Sequence, residues 1–592
     1  MASPAKAMIS KEAFKQGAKS GIWSRNCEKE TRAAVGNISG TIPKWLSGKL
    51  VRNGPGRRKF GTMEMKHLFD GMALLHAFTF HEGQVTYDSR FVQSNSFRKN
   101  KATNRIVVDE FGTRAVPDPC KNIFQRYFTY LFPLGPGNNS ELDNTLVNVT
   151  QIGDEIYAMT ETANLNKIDL QTLDTLERVK LPAQLAVSHA TAHPHMDEKG
   201  NNLNMGNGTV DSGGPGYYVV EFPRERSWDA ARVLAKIPAR WKFYPSYYHS
   251  FGMTDQYFVF LEQPLTYNVF RLLTMGLCNR TISQCFKWWP KEKSASPSSP
   301  TIPFIRSSHS LPCVLPCPHL TLSLHVPSFF SLTAVLTASI ATFMSTVSKP
   351  SAISIAMALF HLVERSSGRV LPTRYEAEPV FVFHHINAYE EEGYVHVDVC
   401  AYDDGAVIEG LTQEKIKQND IPRAHCRRYS LPIPDSSTDE HKQVKLGFGR
   451  KLGESNLELP RINYSRNGKQ YRFVYGVSTD TIKTNEEEGE KEYFVTKLVK
   501  VDVESGEEAF FVEPNCDLSE PVFVANPEGK EEDDGVILSA IMDHYEERRT
   551  GIVILNAADM SEIGRASFQT EDSVTMTFHG MFFDKNVASA TY

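Results

Sequence analysis

The chain has 592 residues, 41% of them hydrophobic and 23% charged, a composition suited to several small domains or to one large β-architecture. Its net charge of −6 and isoelectric point near 6.3 leave no basic footprint for nucleic acid, so a nucleic-acid partner is not expected. Nine cysteines (Cys27, Cys120, Cys278, Cys285, Cys313, Cys317, Cys400, Cys426 and Cys516) form no CxxC pair and no even framework, which suits a reducing compartment rather than secretion.

The first residues, "MASPAKAMISKEAFKQGAKSG", lack the continuous apolar run of a secretory signal. They are basic and rich in Ala and Ser. Residues 1–40 are therefore expected to be a disordered tail on a cytoplasmic protein, with a mitochondrial presequence as the alternative. Strand-like runs then follow almost without a break: "KLVRNGPG" (49–56), "ALLHAFTF" (73–80), "QVTYDSRFVQ" (84–93), "RIVVDEFG" (105–112), "EIYAMTET" (155–162), "GYYVVEF" (216–222) and "QYFVFLEQP" (256–264). Each is short, often alternating, and bounded by Gly, Asn, Asp or Pro.

Residues 294–359 break this pattern. They are rich in Ser, Pro and Leu, and no Lys, Arg, Asp or Glu occurs from Ser307 to Ser348. "FFSLTAVLTASIATFMSTVS" (329–348) is long enough to span a bilayer. A single span would put the flanking strands on opposite sides of the membrane, however, so an inserted, disordered segment is the preferred reading. Cys313, Cys317 and His319 lie within it without a fourth ligand, and carry little weight as a metal site.

Beyond the insertion, "PVFVFHHINAYEEEGYVHVDVCAY" (379–402) predicts a β-hairpin around an acidic turn. Side chains alternate faces along a strand, so His384 and His385 point opposite ways. More strands follow at "YRFVYGVS" (471–478), "EYFVTKLVKVDV" (492–503), "PVFVANP" (521–527), "DGVILSAIMD" (534–543) and "GIVILNAADM" (551–560). So many short strands with few helices exceed one sandwich, and a β-propeller closes them radially without a long open edge. Neutral imidazole is a common metal ligand, and His193, His249, His384 and His579 all sit in strand-like or Gly-flanked contexts. Taken singly, each is more often a core or surface histidine, and no local spacing template links the four.

Motifs along the chain carry a resemblance. "IPKWLSGKLVRNGPG" (42–56), "HLFDGMALLHAF" (67–78), "PDPCKNIF" (117–124), "TETANLNKID" (160–169), "ATAHPH" (190–195), "SYYHSFGMT" (246–254), "FHHINAYEEEG" (383–393), "ELPRINY" (458–464), "SEPVFVANP" (519–527), "EEDDGVILSA" (531–540) and "FHGMF" (578–582) resemble, in order, the motifs of the animal carotenoid cleavage oxygenases. The resemblance implies one catalytic domain over 41–592, interrupted by the insertion. It implies a seven-bladed β-propeller with Fe(II) on its axis under a dome of loops and short helices. The implied metal ligands are His193, His249, His384 and His579, with His385 turned outward in a structural role. Glu161, Glu458 and Glu520 are implied to accept the other ring N–H of His249, His384 and His579, and Thr160 to lie near the open coordination site. Tyr247 and Tyr402 match aromatic residues that stabilise a cationic polyene, and Tyr402 tilts the reading towards the central-cleaving β-carotene enzyme.

The implied reaction uses dioxygen to cut a C=C bond of a carotenoid or retinoid substrate into two carbonyl products, with central 15,15′ cleavage of β-carotene to retinal favoured. Eccentric 9′,10′ cleavage, a binding propeller without turnover, and retinyl ester isomerohydrolysis are the alternatives. The protein is expected to be a monomer that touches membrane surfaces through 123–135 and 265–277, and Cys120 occupies a proposed lipidation position. Three features depart from the family pattern: His189 where relatives carry a small residue, a shortened 403–457 region, and the insertion itself.

Overall fold

The computed structural model describes residues 21–116, 142–210, 214–226, 228–276, 278–290, 357–418, 420–434, 442–486 and 489–585. The chain divides into two compact units, Met1–Pro290 with Met357–Tyr592 and, separately, Lys291–Ala356. Every described residue belongs to the first. The apolar run at 329–348, Cys313, Cys317, His319, Cys120 and the 123–135 patch lie outside the described residues. Among those that are described, no helix is long and apolar enough to cross a membrane.

Seven sheets of four to six strands make up this unit, with two short two-stranded ribbons beside them. They are the blades of a seven-bladed β-propeller. Numbered by the strand nearest the axis, the blades begin at Asn148–Ile152, His195–Met196, Gly252–Met253, Phe381–Glu391, Glu458–Arg461, Val522–Ala525 and Gly580–Asp584. The described strand pairings are antiparallel apart from Arg374–Ala377 with Gln443–Gly447. Blade 4 shows how local chemistry sets the pattern. Phe381–Glu391 turns back into Tyr394–Tyr402 through Glu392 and Gly393, both at positive φ (47° and 80°), as the twist of a tight hairpin requires.

Both ends of the chain close the ring. Blade 7 takes its innermost strand, Gly580–Asp584, from the C-terminal region and the rest from Gly48–Arg57, Met72–His81, Gln84–Phe91 and Ala34–Val35. Blade 6 takes its outermost strand, Asn37–Gly40, from the N-terminal region, paired to Glu562–Gln569. Antiparallel hydrogen bonding thereby removes the open edges that a linear stack of blades would leave.

Three sequence expectations need correction. Residues 21–40 are not a free tail: Ile22, Cys27 and Thr31 are buried, and 34–40 supplies strands to two blades. The alternation in "RIVVDEFG" does not make a strand, because 105–112 runs as irregular chain between the helix Asn95–Thr103 and residue 116. Asp70 holds this loop, accepting hydrogen bonds from Gly112 N at 2.8 Å and Thr113 Oγ1 at 2.5 Å. The insertion ends earlier than 359, since Ala358 and Leu359 open the strand Ala358–Glu364 and pair with Ala377 and Glu376. Among the described residues helices are few and short; of Val407–Gly410 and Gln413–Lys417, the first supplies Val407 to the wall of a cavity described below.

Candidate metal centre

Each of the four histidines put forward from the sequence sits beside or on an innermost strand. His193 precedes His195–Met196, His249 precedes Gly252–Met253, His384 lies within Phe381–Glu391, and His579 immediately precedes Gly580–Asp584. Blades spaced around an axis bring such positions together although up to 195 residues separate successive ones in the chain. One nitrogen of each ring lies within 4.8 Å of the corresponding nitrogen of every other. His193 Nε2 is 2.9 Å from His249 Nε2, and His384 Nε2 is 3.3 Å from His579 Nε2.

The opposite ring nitrogens explain why the Nε2 atoms turn inward. His249 Nδ1 bonds Glu161 Oε1, His384 Nδ1 lies 2.5 Å from Glu458 Oε2, and His579 Nδ1 lies 2.8 Å from Glu520 Oε1. A carboxylate accepts, so each Nδ1 carries the proton and each Nε2 is left with a lone pair. Lone pairs facing one another at such distances repel unless a cation lies between them. Burial, then the other three histidines, hold His193 well below the usual imidazole range, so it stays neutral and able to ligate. The donor set, all neutral imidazole with carboxylates one step behind, fits a divalent transition metal.

The carboxylates are held in turn. Burial pushes the Glu520 carboxyl up, but Arg461, His579 and Arg52 together hold it below the ordinary value. Arg461 Nε donates to Glu520 Oε1 at 2.8 Å. Arg52 is fully buried and donates to Thr577 Oγ1, Glu520 O and Phe578 O, with Glu520 Oε2 at 3.4 Å. Its neighbour Asn53 exchanges backbone hydrogen bonds with the ligand segment, Phe578 N to Asn53 O and Asn53 N to His579 O, both 2.8 Å. The Tyr247 hydroxyl donates to Glu161 Oε1 at 3.0 Å, and Leu459 N donates to Glu458 Oε2 at 2.8 Å.

Two cavities meet at the histidines. The larger encloses about 280 Å³ and is mainly apolar, with Phe69, Phe111, Tyr267 and Phe383 among its walls. Thr160, Glu161, Tyr247, Tyr402 and Glu458 also line it, whereas Glu520 lies behind His579. The smaller, about 100 Å³, has a larger polar share than the first and includes His195, Arg461 and Tyr464. His249 faces only the larger and His193 only the smaller, while His384 and His579 line both. Phe383 packs 5.0 Å from the His249 ring and 5.9 Å from Tyr402, and Phe381 lies 4.7 Å from Phe383.

His385 turns away from the cluster. Its Nδ1 lies 2.9 Å from Ser250 Oγ, and the same hydroxyl accepts from His385 N at 2.8 Å. The register shifts on either side of it, so a bulge rather than uninterrupted alternation aims His384 at the axis. His189 stands in the strand Val187–Ala190 with its ring 6.3 Å from Tyr267, outside the cluster. In the 265–277 patch Leu273 is exposed at 64%, whereas Leu265 is buried. Sequence reasoning missed Arg52, Arg461 and Phe383. An arginine inside the otherwise buried run "KLVRNGPG" was the one available signal for Arg52.

We expect Gln in place of Glu161, Glu458 or Glu520 to lower metal affinity or turnover about 10- to 100-fold, because an amide cannot hold the ring proton as a carboxylate does. Chelator competition with each purified variant measures it. Unchanged affinity and turnover in all three would remove these carboxylates from the site.

The family model described as retinal pigment epithelial membrane protein matches residues 24–296 and 336–584, leaving 297–335 as the stretch foreign to it. A carotenoid isomerooxygenase of Galleria mellonella is 34% identical over 583 residues, which cover 96% of this chain and 97% of the relative. A β,β-carotene 15,15′-dioxygenase of Rattus norvegicus is 33% identical, covering 95% and 91%. Among solved structures, a variant of the Synechocystis apocarotenoid oxygenase superposes with a TM-score of 0.70 at 20% identity, over 97% of this chain and 100% of that one. The chain belongs to this family of carotenoid oxygenases.

Proposed function

We propose that this member of the family is an Fe(II)-dependent dioxygenase that cleaves a carotenoid C=C bond, with β-carotene cut at the central 15,15′ bond to give retinal. The observation that carries the reading is the junction itself, four converging imidazoles opening into a mainly apolar, aromatic-walled cavity. Tyr402 beside Phe381 and Phe383, and the likeness to the rat 15,15′-dioxygenase, favour the central bond.

The residues divide the work simply. His193, His249, His384 and His579 would hold the iron, which when bound supplies the activation of dioxygen. Glu161, Glu458 and Glu520 keep the Nδ1 protons in place, so that the tautomers do not drift. The apolar walls exclude water and align a stiff polyene, converting an encounter into a fixed geometry. Phe383, Tyr247 and Tyr402, which line the cavity, would stabilise positive charge developing on the polyene. Both oxygen atoms end in the two carbonyl products, so the chain needs no residue to deliver a net proton. Contact with a lipid surface through 265–277, where Leu273 is exposed, would let such a substrate enter without crossing water.

Incubating iron-loaded protein with β-carotene and oxygen tests the assignment. Retinal as the sole aldehyde is expected, and Tyr402→Phe should slow its formation. An apo-10′-carotenal with an ionone would refute central cleavage, and no product from iron-replete protein would favour a carotenoid carrier. The likeness to an isomerooxygenase favours a second reading, in which cleavage is accompanied by double-bond isomerisation, and resolving cis from trans retinal in the same chromatogram decides it.

A further inference from the structure

The larger cavity holds an acidic group that the chemistry above leaves unused. Of the acidic side chains in its wall, Glu161 is engaged by His249, Glu458 is tied through Oε2 to His384 although its Oε1 has no partner, and Asp517 accepts from Trp23 Nε1, Thr496 Oγ1 and His544 Nε2. Glu110 bonds none of the four histidines. It is 4% exposed, it lines the cavity, and its Oε1 has no hydrogen-bond partner among the described residues.

Its position is fixed rather than loose. Glu110 N donates to Thr113 O at 2.9 Å, in the loop that Asp70 clamps. Phe111 beside it packs edge-on to His67 at 5.0 Å and to Phe69 at 5.8 Å. Burial, then the Asp70 and Asp143 carboxylates, push the Glu110 carboxyl well above the usual carboxylate range, and Asn144 opposes this only in part. A neutral carboxylic acid has one donor and spare acceptors. Such a group gains nothing from a hydrocarbon, and a buried polar group left unpaired is costly.

Resting on the carotenoid-cleavage reading, we propose that Glu110 selects for an oxygen-bearing end of the polyene, hydrogen-bonding a ring hydroxyl or the carbonyl of a shortened polyene aldehyde. The cavity would then be apolar along the chain of double bonds and polar at one point. A site built to pair a substrate oxygen discriminates against the analogue that lacks it far more strongly than an apolar pocket discriminates by size.

The test compares kcat/KM of the full-length iron-loaded protein for β-carotene, its 3-hydroxy derivative and β-apo-8′-carotenal, in wild type, Glu110→Gln and Glu110→Met. Wild type should favour at least one oxygenated substrate by about tenfold or more, chiefly through KM. The Met variant should lose that ratio, and the Gln variant, which still donates, should keep most of it. Which of the two oxygenated substrates is favoured separates hydroxyl from carbonyl. Equal ratios in wild type and Glu110→Met overturn the proposal. Should no polyene be cleaved by wild type, the cleavage reading fails, and absorbance titration of the same three polyenes still decides the role of Glu110 by the same ratio of affinities. Should Glu110→Met not fold, equal wild-type affinity for plain and oxygenated polyenes overturns the proposal.

Discussion

Alanine in place of any one of His193, His249, His384 or His579 should empty the centre of metal and bring polyene cleavage to background. With one imidazole gone, three remain, and the cavity beside them supplies no replacement donor, because Glu161 and Glu458 are engaged at the Nδ1 side and Glu520 lies behind His579. The removed ring also leaves a buried void among groups packed at ring-centroid distances of 4.5 to 5.0 Å. Elemental analysis should read about one iron per chain in wild type and far less in each variant, the saturation expected of a single cluster of imidazole donors. His385→Ala is the matched control: it removes an adjacent imidazole that bonds Ser250, and should retain the metal. Equal iron loss in that variant would refute the facing of the two neighbouring histidines.

Arg52→Met should be the most destabilising substitution away from the histidines. Arg52 is 0% exposed and donates to one hydroxyl and two carbonyl oxygens besides approaching the Glu520 carboxylate. Burial lowers its guanidinium only to about 10, so it is charged at neutral pH. Removing one partner of a buried charged pair costs about 3–5 kcal/mol, because the other charge and the freed acceptors stay buried without compensation. Arg461 still holds Glu520 in the variant, which places the effect in this range rather than above it. Urea unfolding should show a lowered midpoint with unchanged slope, and the metal should dissociate more readily because Glu520 orients His579. A midpoint within experimental scatter of wild type would show that the pair is dispensable.

Much of this was legible in the sequence for physical reasons. Alternation reports which residues a sheet buries, so "ALLHAFTF", "GYYVVEF" and "YVHVDVCAY" were readable as strands. Their number pointed to a closed ring. It could not count blades, because a blade is defined by which strands pair, and the pairing of Gly48 with Asp584 joins positions that no local pattern links. The histidines became a set only through whole motifs, since convergence on an axis leaves no spacing rule. "RIVVDEFG" misled because alternation describes hydrophobicity, and here Ile106, Val108 and Glu110 are buried by a loop clamped to Asp70 rather than by a ladder. The tail was misjudged for a related reason: a strand four residues long with mostly exposed side chains, such as Asn37–Gly40, is held by backbone pairing and has no apolar signature.

The way the ring closes also sets a timetable for synthesis. Gly48–Arg57 and its hairpin partners leave the ribosome early, but the strand that covers their inner edge, Gly580–Asp584, follows roughly five hundred residues later. At ~5–20 residues per second that is an interval of roughly 25–100 s during which an apolar sheet edge stands open to other nascent chains. His579 arrives within the same few residues that cover the edge, so metal capture by the full set and closure of the ring are simultaneous. A chain that stops short of residue 579 therefore carries both faults together, an adhesive edge and three ligands, and cellular quality control needs to recognise only one of them to remove it.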